Sequence, residues 1–182
     1  MAAVVVLAVA GATTALLSGG DDSDYKSLPT CDGLASALPG KPALTVAQNV
    51  TDPEDFRGLH PAYTNIECRT ADTQVFVEMY QPSNVDLIYM RQYTDHTVHD
   101  GRWRANDMFT RRTKGYEQLS ANVRFSAAGP SAYSCTVITL KRNATVDLTV
   151  PLASVTSIEE WRTACRQIAK SQMPKVVDAA LG

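Results

Sequence analysis

The chain has 182 residues, of which 45% are hydrophobic, and a formal net charge of -2 at neutral pH. This length is sufficient for one domain with a substantial hydrophobic core, which we place at residues 30–182. The slightly negative charge argues against a protein whose main partner is a nucleic acid.

Residues 1–18 contain no charged side chain, and they end in Ser-Gly-Gly followed by acidic residues. About 17 apolar residues is the lower limit for a helix that crosses a membrane. No basic residue precedes the run and no clear cleavage site follows it, so we predict a retained membrane anchor. A cleaved export signal and a buried core helix are the alternatives. Residues 19–29 are predicted to be an acidic, solvated linker to a domain outside the cytoplasm.

The stretch TCDGLASAL, residues 30–38, predicts a short helix with Thr30 as its N-cap. Its buried stripe would include Cys31. The next stretch, NIECRTADTQVFVEMYQ, has two alternating runs around a polar turn and predicts a β-hairpin. If Thr70 pairs with Thr73, Cys68 lies opposite Val75 and points inward.

Two histidines follow in YTDHTVHDG, where His96 and His99 lie beside Asp95 and Asp100. On a helix this spacing would allow a metal site, but we predict a solvated helix end or loop before Gly101 and no bound metal or cofactor.

A serine hydrolase motif is also lacking. The closest stretch, AGPSAYS around Ser131, has no second glycine. We therefore expect a protein that is not an enzyme.

A basic and aromatic segment then interrupts the slightly acidic chain. Its candidate ligand-binding residues are Arg102, Trp103, Arg104, Arg111, Arg112, Lys114 and Tyr116. Guanidinium groups beside aromatic rings suit an anionic partner, so we expect most of this charge to be exposed. An anionic envelope polymer or an acidic protein would fit. The alternative is an amphipathic helix with Trp103 and Phe109 in the core and its arginines in water.

The stretch YSCTVITLKRNATVDLTVPL predicts a second hairpin, in which Lys141 pairs with Ala144 and Cys135 lies opposite Val150. Two overlapping capping boxes, TSIE and SIEE, begin a helix after it. The predicted buried stripe of this helix consists of Ile158, Trp161, Cys165 and Ile168. Pro174 should end or kink the helix.

Four cysteines without a C-x-x-C spacing are typical of disulfides in an oxidising compartment. Each hairpin has one inward cysteine and each helix has one on its buried stripe, which favours the bridges Cys31–Cys68 and Cys135–Cys165. The predicted fold class is α+β, with an antiparallel sheet built from hairpins, helices packed on one face and two disulfides.

The stretches CDGLASALPG, IECRTAD, YSCTVITL and EEWRTACRQIA, together with the apolar N-terminus, resemble a family of actinobacterial cell-envelope proteins of unknown function, many of them lipoproteins. The layout is also similar to the extracellular sensor domains of mycobacterial serine/threonine kinases. The resemblance covers most of residues 29–180, and it implies a helix-on-sheet fold with two disulfides. Gly19 or Gly20 stands where a lipoprotein has its lipid-bearing cysteine, which favours a protein anchor.

These observations predict a non-catalytic, membrane-anchored binding or sensor domain outside the cytoplasm. A structural or interaction subunit of an envelope complex is the first alternative. The second is an envelope hydrolase that uses the region around His96 and His99.

Overall fold

The computed structural model describes residues 24–50, 63–83, 97–126, 134–152 and 155–182, and the backbone of residues 85–86 and 91–92. Its helices are α1 (Cys31–Ser36), α2 (Gly101–Arg112), α3 (Ile158–Ser171) and α4 (Met173–Leu181). Its strands are β1 (Thr45–Val50), β2 (Tyr63–Arg69), β3 (Gln74–Tyr80), β4 (Val85–Asp86), β5 (Arg91–Gln92), β6 (Glu117–Ser120), β7 (Val123–Phe125), β8 (Ser134–Lys141) and β9 (Ala144–Pro151).

Seven strands form one antiparallel sheet in the order β1-β2-β3-β9-β8-β7-β6, and β4 pairs with β5 separately. Helices pack against this sheet, so the predicted α+β fold class is confirmed. The segment 1–18 lies outside the described residues. None of the helices within the described part of the chain is long and apolar enough to cross a membrane.

Both predicted hairpins have the expected register. In β2 and β3, Cys68 lies opposite Val75, and in β8 and β9, Cys135 lies opposite Val150. The turn of the first hairpin is closed by Thr70, whose N–H donates to the carbonyl of Thr73 at 2.8 Å. A short turn combined with strict alternation leaves only one register that keeps the apolar residues together.

The first face of the sheet carries the main hydrophobic core, and it includes Cys68, Val77 and Leu148. Helices α1, α3 and α4 supply the other side of this core. The disulfide Cys31–Cys68 joins α1 to β2, and Cys135–Cys165 joins β8 to α3, so the predicted pairing is confirmed. Each bridge therefore links a helix to the strand on which that helix packs.

The second face of the sheet, which includes Phe76, Glu78 and Asp147, contacts α2. Ala105 and Met108 of this helix form a small apolar cluster with Tyr80. A Cβ atom on Gly101 would overlap the carbonyl oxygen of Tyr80, so the first turn of α2 requires glycine at its close approach to β3.

Helix α3 begins with a side-chain cap, as the two overlapping capping-box patterns in the sequence predict. Ser157 is the N-cap and accepts from the N–H of Glu160 at 3.2 Å. Trp161 and Cys165 are buried as predicted, but Ile158 is 67% exposed. That part of the predicted stripe is wrong, because the side chain of this first residue of α3 faces solvent. A new helix, α4, begins at Met173 with Pro174 in its first turn.

The end of the segment predicted as a linker contacts the domain. The amide of Asn143 binds Tyr25 twice, accepting from its N–H at 2.8 Å and donating to its carbonyl at 3.1 Å. Asp24 pairs with Arg102 at 2.7 Å. These contacts hold the start of the described chain at the turn between β8 and β9.

Candidate functional site

Part of the second face forms a groove beside the C-terminal end of α2. Two neighbouring rows of side chains make its floor. The first row is Glu67, Phe76, Asp147 and Ile138, and the second is Arg69, Gln74, Thr149 and Thr136. Both rows point away from the main core because side chains alternate between the faces of a strand.

The groove consists of two adjoining cavities with volumes of about 420 Å³ and about 640 Å³. Both are lined by Glu67, Gln74 and Thr149, so they adjoin, and together they are called the sheet groove. Gln48 on β1 borders one side. Tyr116, after α2, borders the smaller cavity. Concave surfaces with a few convergent polar groups are the usual form of ligand sites.

One end of the sheet groove contains a cluster of charged side chains. Arg112, in the last turn of α2, donates to the carboxylates of both Glu78 and Asp147. The hydroxyl of Tyr80 also donates to Glu78, at 2.9 Å. Only 5% of the Glu78 side chain and 11% of the Asp147 side chain are exposed. This cluster attaches the end of α2 to β3 and β9.

Burial changes the proton affinities within the cluster. It raises the pKa of Asp147 to about 7, and the neighbouring Glu78 adds to the increase, although Arg112 opposes it. Burial also raises the pKa of Glu78. Burial alone would lower the pKa of Arg112, but the carboxylates of Asp147 and Glu78 outweigh it and raise that pKa. One guanidinium group is thus hydrogen-bonded to two buried carboxyl groups.

We expect the stability of the domain to fall as pH rises through the range in which Asp147 loses its proton. In the unfolded chain this carboxyl titrates near its ordinary value of 3.8, whereas in the folded domain it titrates at about 7. Between these values the folded state holds more protons, so an increase in pH favours unfolding. Asp147→Asn should therefore lose less stability than the wild type between about pH 5 and about pH 8 in urea unfolding.

Asp72→Asn is the matched control, because Asp72 is an exposed residue in the turn between β2 and β3. It should keep the wild-type pH dependence. An Asp147→Asn variant with an unchanged pH dependence would show that this carboxyl does not retain its proton in the folded domain.

The residues of the basic and aromatic segment make different contacts in the structure. Arg104 is 4% exposed and donates to the carbonyl of Gln81 at 3.0 Å. Arg111 pairs with Asp107 at 2.8 Å, and Arg112 pairs with the two carboxylates of the buried cluster.

The expectation that most of this charge is exposed is therefore wrong for Arg104 and Arg112. Hydrogen-bond acceptors on neighbouring chain segments offset the desolvation cost of burying these two guanidinium groups. The alternative interpretation is correct for Phe109, which is buried, but not for Trp103, which is 42% exposed. Lys114 is exposed, and Tyr116 lines the sheet groove near Arg112.

The predicted loop before α2 is present at His99 and Asp100. The ring of His99 stacks on Trp103 with centroids 3.7 Å apart, and Asp100 caps α2 by accepting from the N–H of Trp103 at 2.7 Å. His96, Asp95 and Ser131 lie outside the described residues. Across the described ranges, no group of three or more histidine, cysteine, aspartate or glutamate residues is placed to hold a metal ion.

Sequence reasoning missed the residues of β3 and β9 that build the site, namely Phe76, Glu78 and Asp147. A signal was present, because QVFVEMY places two aromatic residues and a carboxylate on the side of β3 that faces away from the disulfide-linked core. Aromatic residues on an otherwise outward face indicate a second packed or binding surface.

No protein-family model, curated protein sequence or solved structure matches this chain. The resemblance to envelope proteins and kinase sensor domains therefore stays a prediction.

Proposed function

We propose that this chain is a membrane-anchored binding domain outside the cytoplasm, in a bacterial cell envelope, and that the sheet groove is its binding site. The observation that carries the proposal is the groove itself. Residues from β1, β2, β3, β8, β9 and the end of α2 line it, while the opposite face of the same sheet is buried under three helices.

The two disulfides support the location outside the cytoplasm. All four cysteines are paired, and protein disulfides persist in oxidising compartments. The apolar, uncharged segment 1–18 and the resemblance to actinobacterial envelope proteins point to the same place.

The chemistry of the groove supports binding. Burial raises the pKa of the Asp147 carboxyl to about 7, and the guanidinium of Arg112 donates a hydrogen bond to one of its oxygens. Most of the other polar side chains that line the concavity are amides and hydroxyls, including Gln48, Gln74 and Thr149. Such groups donate and accept hydrogen bonds without reacting.

Phe76→Ala provides a direct test of the binding site. The full chain, purified in mild detergent, would be sedimented with insoluble cell-wall material from an actinobacterium. We expect the wild type to sediment with the wall and the Phe76→Ala variant to bind about tenfold more weakly, because the half-buried ring forms the middle of the floor.

Phe76→Tyr keeps the ring and should keep binding. Gln167→Ala, an exposed position on α3 behind the opposite face, should also bind normally. Urea unfolding of each variant shows whether it is folded. Wall binding that is equal in wild type and Phe76→Ala would contradict the proposed site, and failure of the wild type to bind would contradict the proposed function.

A further inference from the structure

The floor of the sheet groove combines a flat aromatic surface with hydrogen-bonding groups at several positions. Phe76 is half-buried in the middle of the floor, with Asp147 and Glu67 as its neighbours on the adjacent strands. The Arg112 guanidinium lies over one face of the Phe76 ring, 5.5 Å from its centre. The face of an aromatic ring is electron-rich, so it attracts the weakly positive C–H groups of a ring stacked on it.

The groups around Phe76 are suited to hydroxyl partners. Gln74 and Gln48 each carry one acceptor oxygen and one amide nitrogen with two donor hydrogens. On the floor, the hydroxyls of Thr136 and Thr149 are hydrogen-bonded to each other at 3.0 Å, and each keeps further hydrogen-bonding capacity. The carboxylate of Glu67 is 3.9 Å from the guanidinium of Arg69. A ligand with adjacent hydroxyl groups would bind these side chains pairwise, since each hydroxyl both donates and accepts.

The charges in the groove do not favour an anion. Its lining includes three carboxyl groups, on Glu67, Asp72 and Asp147, against two guanidinium groups, on Arg69 and Arg112. Arg112 already pairs with Asp147 and with Glu78 below it. An anionic polymer would therefore meet a surface with no excess of positive charge.

The groove is also long in one direction. It crosses five adjacent strands, from β1 to β8, and the four steps between them at about 4.8 Å each give a floor about 19 Å across. An elongated ligand of several linked units fits this shape better than one small molecule.

We propose that the sheet groove binds a chain of uncharged sugar residues, with one sugar ring stacked on Phe76 and its hydroxyls bound by Gln74, Glu67 and the neighbouring amides and hydroxyls. This inference rests on the proposed function and specifies the ligand class of the same site.

An extended peptide fits the groove less well. Peptides commonly bind by adding a strand at the edge of a sheet, where backbone groups are unpaired. The sheet groove instead lies on a face whose central strands, β3 and β9, are already paired on both sides. Its side chains are those that recognise hydroxyl groups.

Titration with defined oligosaccharides tests the inference. Isotope-labelled full chain in detergent micelles would be titrated with uncharged tetrasaccharides of the chito-, cello-, malto- and manno- series, followed by two-dimensional NMR. We expect at least one series to shift the amide signals of β3 and β9. Phe76→Ala should weaken that binding about tenfold, which equals about 1.4 kcal/mol.

Two further variants separate binding from folding. Gln74→Ala removes an amide in the floor without removing the ring, and it should weaken sugar binding while the urea unfolding curve stays the same. Gln167→Ala is the matched glutamine on the far side of the domain, and it should change neither. Binding should also vary less than about twofold between about 0.05 M and about 0.5 M salt, because no ion pairs with the ligand are formed.

Other outcomes would overturn the inference. One is binding of heparin fragments or poly-glutamate, but not of the uncharged sugars, with a steep salt dependence. A second is binding of an acetylated Ser-Thr-rich peptide alone, and a third is no shift by any uncharged series up to about 10 mM. If in any of these cases the wild type still binds cell walls more tightly than the Phe76→Ala variant does, the proposed function stands, and only the ligand class is wrong. If the wild type does not bind the wall either, the proposed function is wrong as well.

Discussion

Replacement of both Cys135 and Cys165 by alanine is expected to lower the free energy of unfolding by about 3 to 4 kcal/mol. The bridge spans 30 residues, and its loss lets the unfolded chain adopt many conformations that the closed loop forbids. It also leaves α3 attached to β8 only by packing and by the hydrogen bond from the indole of Trp161 to the carbonyl of Ser134, at 3.1 Å. Urea unfolding followed by tryptophan fluorescence measures the loss.

Measurements on the oxidised wild type, in which Cys135 and Cys165 are both fully buried, provide the reference for this value. Peptide mapping without reductant should find Cys135 joined to Cys165. Recovery of Cys135 joined to Cys31 or Cys68 would contradict the observed pairing, and so would a double variant as stable as the wild type.

The two hairpins and their register could be predicted from the sequence because the interactions that determine them are local. In each hairpin a short polar turn joins two alternating runs, so one register keeps all the apolar residues on one face. The disulfides span 37 and 30 residues, and they could be predicted because periodicity places one inward cysteine in each hairpin and one on each helix, which favours pairing each hairpin with its neighbouring helix.

The second face could not be predicted in the same way, since no periodic pattern in the sequence identifies which carboxylates pair with Arg112. Arg112 is separated by 34 residues from Glu78 and by 35 from Asp147. In the sequence Arg112 belongs to a run of basic residues, and nothing adjacent to it reveals the two carboxylates. The predicted charge of the segment was correct, but the expected exposure was wrong for this residue.

The lack of a local sequence pattern also explains why the proposed binding site was not predicted. A search for clustered charge leads to the segment from Arg102 to Tyr116, where most of the guanidinium groups contact the domain itself. The sheet groove is instead assembled by strand pairing, which aligns Gln74 with Thr149 and Phe76 with Asp147 across β3 and β9. Such a site consists of residues with ordinary polarity, so no single stretch of sequence identifies it.

Arg112→Met is expected to lower the free energy of unfolding by about 3 kcal/mol at about pH 8, because it leaves two buried carboxyl groups without their shared cation. The loss should be smaller at about pH 5, where Asp147 is protonated in the folded domain and needs no partner. The contribution of Arg112 thus grows as the pH rises. Urea unfolding at both pH values measures the difference.

Arg111→Met is the matched control in the adjacent position. Arg111 forms an exposed pair with Asp107 one turn earlier in α2, and such pairs contribute about 0.5 kcal/mol or less. Adding Glu78→Gln and Asp147→Asn to Arg112→Met should restore much of the lost stability, since neither buried group can then carry a negative charge. If Arg112→Met and Arg111→Met were equally mild at about pH 8, the buried cluster would not be what attaches the end of α2 to β3 and β9.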